Sequence, residues 1–118
     1  MKIFDTHSHY FDEMFQSLEG GADGAVAKAK SENVCGLLIC GTDADNSREA
    51  IRLANKYSDE HFFAYAACGI HPECCEEARE NITSAIDEIR TIADDEKIIA
   101  IGEIGLDYHW DYDKALQH

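Results

Sequence analysis

At 118 residues the chain has the length of one domain, and with 45% hydrophobic residues it can bury a core. A formal net charge of −14 excludes the basic face with which proteins grip duplex phosphates; either nucleic acid is not the substrate, or bound divalent cations supply positive charge locally. No apolar run approaches the ~18 residues of a membrane span, and the N-terminus enters a strand pattern at once, with charge at Lys2 and Asp5, so no signal peptide or membrane partner is expected and a cytoplasmic location is.

The predicted elements alternate. Residues 2–7 alternate apolar and polar and end polar, as a strand does. Residues 22–32 read as a helix with Ala25 and Ala29 near one face. Val-Cys-Gly-Leu-Leu-Ile-Cys at 34–40, closed by Gly41, is the continuous apolar run of a strand buried on both faces. Thr42, Asp43 and Asp45 are N-cap candidates for a helix running to about Tyr57, with Ala50, Ile51 and Ala54 inside. Residues 62–69 form the third strand. After the His71-Pro72 turn, Ile82, Ala85, Ile86, Ile89, Ile92 and Ala93 recur at helical spacing, with Asn81 or Thr83 as a cap. Residues 98–101 form the fourth strand, ending at Gly102-Glu103-Ile104-Gly105, and a further helix begins at about Asp113. The five cysteines, Cys35, Cys40, Cys68, Cys74 and Cys75, form an odd set without a C-x-x-C pair, which argues for reduced structural thiols over a zinc knuckle or disulfide framework.

Four strand–helix units with buried strands predict a parallel α/β sheet. Such a sheet is either open and doubly wound or half of a TIM-like (β/α)₈ barrel, which takes ~250 residues in full. The sequence stops about one turn into the helix that should follow the fourth strand, so residues 1–118 are expected to form one partial domain, the N-terminal half of a barrel.

The polar residues of interest fall at equivalent places. His7 and His9 follow the first strand, Gly41 and Thr42 the second, His71 the third; Glu103 ends the fourth, with Asp107 and Tyr108 just beyond. In parallel α/β proteins this carboxyl edge is where sites are built. Alternation along a strand places Asp5, His7 and His9 on one face. Paired imidazoles suit a divalent metal, and Asp5 is placed to orient one of them. Glu103 emerges from an apolar context, the setting of a metal ligand or catalytic base. His71 sits in a rigid turn, open to two readings: contact with a substrate phosphate, or satisfaction of the loop backbone. Tyr108, His109 and Trp110 form an aromatic cluster suited to stacking a base or to packing. Glu76, Glu77 and Glu80 read as a solvated helix face.

Three motifs, Phe4-Asp5-Thr6-His7-Ser8-His9-Tyr10, Gly69-Ile70-His71-Pro72-Glu73 and Ala100-Ile101-Gly102-Glu103-Ile104-Gly105-Leu106-Asp107-Tyr108, together resemble the TatD family of metal-dependent deoxyribonucleases, a branch of the amidohydrolase-like barrels. The resemblance implies a two-metal site (Mg, Mn or Zn) that hydrolyses phosphodiester bonds of single-stranded DNA, often from a 3′ end. It implies that His7 and His9 are ligands of one metal, that Glu103 bridges both and is the catalytic carboxylate, and that His71, Asp107 and Tyr108 face the substrate. Two departures stand out: His109 occupies a place where an aromatic residue is more usual, and Phe11 one where an acidic residue is common. The family's later ligands, two histidines and an aspartate, have no counterpart in these 118 residues. The alternatives are another His-x-His metallohydrolase, acting on small phosphoesters or amides, and an inactive half-barrel that self-associates through its open edges.

Overall fold

The computed structural model describes residues 1–118. Its four strands, β1 (Ile3–Ser8), β2 (Val34–Cys40), β3 (Phe63–Cys68) and β4 (Ile98–Ile101), form one sheet in sequence order. Every neighbouring pair is parallel. Each crossover carries helix: α1 (Gly21–Ser31), α2 (Ala44–Tyr57), then the single turn α3 (Cys75–Ala78) with α4 (Ile82–Ile92). A short α5 (Lys114–Gln117) follows β4. No helix is long and apolar enough to cross a membrane.

Local chemistry explains the boundaries. Asp43 caps α2, its side chain accepting from the Asn46 amide at 2.7 Å, so of the three cap candidates it is Asp43 that serves. Asn33, at a φ of 68° that asparagine tolerates better than most residues, turns the chain from α1 into β2. Its carbonyl then accepts from Ile3 N at 3.1 Å, at the start of the β1–β2 ladder. The third crossover departs from one continuous helix. Pro72 opens a 3₁₀ turn (Pro72–Cys74), α3 adds one turn, and a second 3₁₀ turn (Arg79–Asn81) precedes α4. Asn81 stands at the cap position of α4 with its backbone outside the helical region and no side-chain cap bond. A 3₁₀ turn at Glu13–Ser17, capped by Asp12, also lacks a periodic signature in sequence.

The core lies between the sheet and α1 and α2. Leu37, Ile39, Ala64 and Ala66 from β2 and β3 meet Val26, Ala50, Leu53, Ala54 and Tyr57. Burying each large apolar side chain contributes about 1.5–3 kcal/mol, so this layer sets the rigid frame. A smaller cluster of Cys68, Ile89 and Ile92 ties α4 to β3. The far side of the sheet is open, with Phe63 52% exposed.

Candidate metal centre at the carboxyl edge of the sheet

His7 and His9 bring their Nε2 atoms to 3.1 Å of each other. The β1–β2 register is irregular between Asp5 and Ser8, so simple strand alternation does not by itself produce this approach. Side-chain ties to β2 hold the two residues. Ser8, between them, is buried and donates from Oγ to the Leu38 carbonyl at 2.8 Å. The His9 ring faces the Cys40 carbonyl, Nδ1 to oxygen 2.9 Å. A carbonyl only accepts, so Nδ1 of His9 carries the proton and the neutral ring presents a bare Nε2 lone pair to the cluster. That is the tautomer a metal ligand needs, set by the backbone contact that commonly fixes ligating histidines.

Glu103 completes the group. Its Oε1 is 2.5 Å from His7 Nε2 and 3.5 Å from His9 Nε2, and the three ligand atoms all lie within 4.8 Å of one another. Ligands bonded at ~2.0–2.1 Å to one zinc ion stand roughly 3 Å apart, so two imidazoles and a carboxylate at this spacing fit a divalent cation. The Glu103 side chain is 21% exposed, leaving the site an open side. Burial pushes the nearby Cys40 thiol up, and the charge of Glu103 adds to the rise; a neutral thiol beside the cluster is not a competing thiolate ligand.

His71 approaches from β3 with the opposite polarity. Its Nδ1 accepts from the Glu73 amide at 3.2 Å, so the neutral ring carries its proton on Nε2, which lies 3.8 Å from Glu103 Oε2. One imidazole therefore presents an acceptor and the other a donor, on either side of one carboxylate. An open depression of about 430 Å³ is lined by His7, His71, Pro72, Glu103, Leu106 and Asp107. A larger apolar groove of about 580 Å³ lies among Ile82, Ile86, Ile89, Ile101 and Leu116 and contains none of the clustered ligands.

The remaining expected site residues are placed differently. Asp5 accepts from the His7 backbone amide at 3.1 Å and bonds no imidazole, because the ring-orienting contact is taken by the Cys40 carbonyl. Asp107 lines the depression but turns its Oδ1 to the His109 amide at 2.8 Å. Tyr108 points away: its hydroxyl meets His118 Nε2 at 2.6 Å, and Lys114 lies over its ring. Ser8 and the Cys40 carbonyl were not among the expected site residues, and the carbonyl's contact leaves no side-chain signature in sequence.

Comparison with known proteins supplies independent information. A model of the family described as TatD related DNase matches residues 4–118. A relative described as an uncharacterized metal-dependent hydrolase, YabD of Bacillus subtilis, is 36% identical over 109 residues, which are 92% of this chain and 39% of that protein. The 3′-5′ ssDNA/RNA exonuclease TatD of Yersinia pseudotuberculosis is 35% identical over 92 residues, 78% of this chain and 33% of its own length. The crystal structure of a TatD family hydrolase from Entamoeba histolytica superposes with a TM-score of 0.80 at 24% identity, over 98% of this chain and 42% of that one. An uncharacterized amidohydrolase from Saccharomyces cerevisiae gives 0.74 at 25%, over 98% and 41%. The chain thus spans about a third to two-fifths of the length of these relatives, and its four parallel strands with their helices make up half of a (β/α)₈ barrel.

Proposed function

The chain belongs to the TatD-related DNase family, and from that premise we propose that the protein carrying it hydrolyses phosphodiester bonds at the 3′ ends of single-stranded DNA, with divalent cations at the carboxyl edge of the sheet. The observation that carries this reading is the convergence of His7 Nε2, His9 Nε2 and a Glu103 oxygen, with the His9 tautomer set for ligation. A bound divalent pair supplies Lewis-acid charge for the attacking water and the departing oxygen, and it offsets the −14 charge that would otherwise repel a polyanion.

The chain's own residues divide the work. His7, His9 and Glu103 would hold one cation, with Glu103 Oε1 the oxygen near both imidazoles and Oε2 on the His71 side. There Oε2 accepts the proton of the attacking water as its oxygen adds to phosphorus and the far P–O bond breaks. His71 donates from Nε2–H to a non-bridging phosphate oxygen, and Asp107 bounds the substrate side of the pocket. Tyr108 reaches the substrate only after leaving His118. Asp5 steadies the backbone at His7 by accepting from its amide.

The test uses the full protein with Mg²⁺ or Mn²⁺, single-stranded DNA labelled at either end, and a small phosphoester as comparison. Loss of label from the 3′ end is expected, and Glu103→Gln should lower kcat by about 100-fold or more, the scale of losing a charge stabiliser at the reacting centre. Intact DNA alongside a cleaved small ester or amide would replace this reading with that of a different His-x-His metallohydrolase. Two cations need more ligands than the three present here, so titration calorimetry on the isolated 118 residues should show weak binding. Tight uptake of two cations per chain would contradict that.

A further inference from the structure

β2 contributes no ligating side chain, yet every strand end that bears a site residue is tied to it. The Leu38 carbonyl accepts from Ser8, and the Cys40 carbonyl accepts from the His9 ring. The Thr42 carbonyl accepts from the His71 amide at 2.8 Å, and the Gly41 carbonyl accepts from the Glu103 amide at 2.9 Å. The last contact is unusual for a parallel sheet, because β4 neighbours β3 and not β2. Gly102 still follows the ladder, donating to the Cys68 carbonyl of β3 at 2.9 Å, but one residue later the chain has crossed the end of β3 to reach β2.

We propose that Gly69 and Gly41 are positioning residues that open this crossing and thereby set the Glu103 carboxylate against His7 and His9, an inference that rests on the metal-site reading above for its functional meaning. Gly69 follows β3 directly under the crossing. A Cβ there would stand 2.5 Å from the Glu103 carbonyl oxygen and 2.8 Å from the Gly102 carbonyl carbon. Both are main-chain atoms that cannot swing aside, so any side chain at residue 69 lifts Glu103 off the sheet. Gly41 acts from the other side. A Cβ on it would come within 2.6 Å of Ser47 Cα and 2.8 Å of Ser47 N in the first turn of α2. Ser47 is fully buried and donates from Oγ to the Asp43 carbonyl at 2.5 Å. The bare Gly41 lets α2 close onto the end of β2 and aligns the Cys40, Gly41 and Thr42 carbonyls, which hold His9, Glu103 and His71 respectively.

Three measurements on the full protein test this. Hydrogen exchange on the wild type should find the Glu103 amide protected like a strand amide although it lies beyond β4; a freely exchanging amide overturns the crossing without any variant having to fold. In metal-free protein labelled with ¹⁵N at histidine, Gly69→Ala should shift the His7 and His9 ring signals. Leu53→Ala, which opens the core away from the site, should lower the melting temperature and leave those signals in place. Mn²⁺ affinity should fall about tenfold or more in Gly69→Ala, the loss seen when supporting contacts of metal ligands are removed, and by less than about twofold in Leu53→Ala. Ring signals unmoved by Gly69→Ala overturn the proposal. Shifted signals in a protein that takes up no Mn²⁺ uphold the positioning role and overturn the metal reading instead.

Discussion

Within one sheet, β2 and β3 are buried under α1 and α2, with Leu37, Ile39, Ala64 and Ala66 inaccessible to solvent, while β4 leaves Ile99 and Ile101 56% and 57% exposed. β1 is the other edge, and Ile3 and Phe4 are exposed along it as well. The candidate ligands sit at the ends of these thinly packed outer strands, His7 and His9 at the end of β1 and Glu103 just beyond β4. Hydrogen bonds to the end of β2, the best-packed strand, hold them in place. Packing therefore sets the frame, and main-chain polar contacts transfer its rigidity to the site. An edge strand offers the freedom to lean over its neighbour, and a central strand offers the fixed acceptors against which to lean.

The largest expected effect tests the frame. Leu37→Ala should cost about 3 kcal/mol, within the range for emptying a buried leucine site. Ile101→Ala, at an exposed position, should cost about 0.5 kcal/mol or less. Urea denaturation of both variants compares them directly; equal losses would mean that β4 is as well packed as β2 and would remove the basis of the contrast.

A smaller effect lies at the α1–α2 interface, on the well-packed side. The Tyr57 hydroxyl donates to Asp23 Oδ1 at 2.8 Å, and Lys56 Nζ meets the same carboxylate. Burial, then the Asp23 hydrogen bond, raises the Tyr57 phenol above its ordinary value, and the Lys56 hydrogen bond leads in holding Asp23 below the usual carboxylate range. The folded state binds the phenol proton more tightly than the unfolded chain. Its contribution is therefore full below the ordinary tyrosine value of ~10 and is lost as pH rises from there through the folded value. Tyr57→Phe should remove about 1 kcal/mol at neutral pH and flatten the alkaline loss from pH ~10 upward. Urea midpoints across that range report both, and an unchanged alkaline slope would separate Tyr57 from it.

Legibility in sequence follows the same division. The buried strands stand out because an uninterrupted apolar run such as residues 34–40 has few alternatives, and α2 is bounded by the cap candidates Thr42, Asp43 and Asp45, of which Asp43 serves, and by a clear apolar stripe. The His-x-His pair and Glu103 stand out as polar groups at strand ends, and the fold brings them together. Less was legible where main chain does the holding. Asp5 had the right chemistry to orient an imidazole, but a carbonyl of β2 is nearer the His9 ring, and carbonyls belong to every residue. Gly41 and Gly69 carried the signal in principle, since bare positions at two adjacent strand ends mark where backbones approach closely. Tyr108 shows the converse limit: its place in a motif does not fix the direction of its ring in a loop without a packed neighbour.

The smallest expected change in global stability concerns the loop after β4, which is latched and not packed. Arg79 donates to Glu76 Oε2 at 2.7 Å and pairs with Asp113 Oδ2 at 2.9 Å, and the Asp113 amide donates to Glu76 Oε1 at 2.8 Å. Hydrogen bonds from Arg79 are the leading cause that holds both carboxyls below their ordinary range. The folded state binds those protons less tightly than the unfolded chain, so the latch is complete above the ordinary carboxylate range of ~4 and opens as pH falls through the lowered folded values. Exposed ion pairs add little to global stability, and Arg79→Ala should leave the urea midpoint almost unmoved. It should speed hydrogen exchange at Ala115 and Leu116, whose amides bond the Asp113 side chain, and the wild type should approach the same behaviour at acid pH. The latched segment follows Glu103 and includes Asp107, so its opening loosens the Asp107 side of the depression while the ties to β2 keep His9 and Glu103 in place. Exchange at Ala115 and Leu116 that ignores Arg79 would show that apolar contacts hold the segment, and the contrast between a packed frame and a latched rim would then apply to β4 alone.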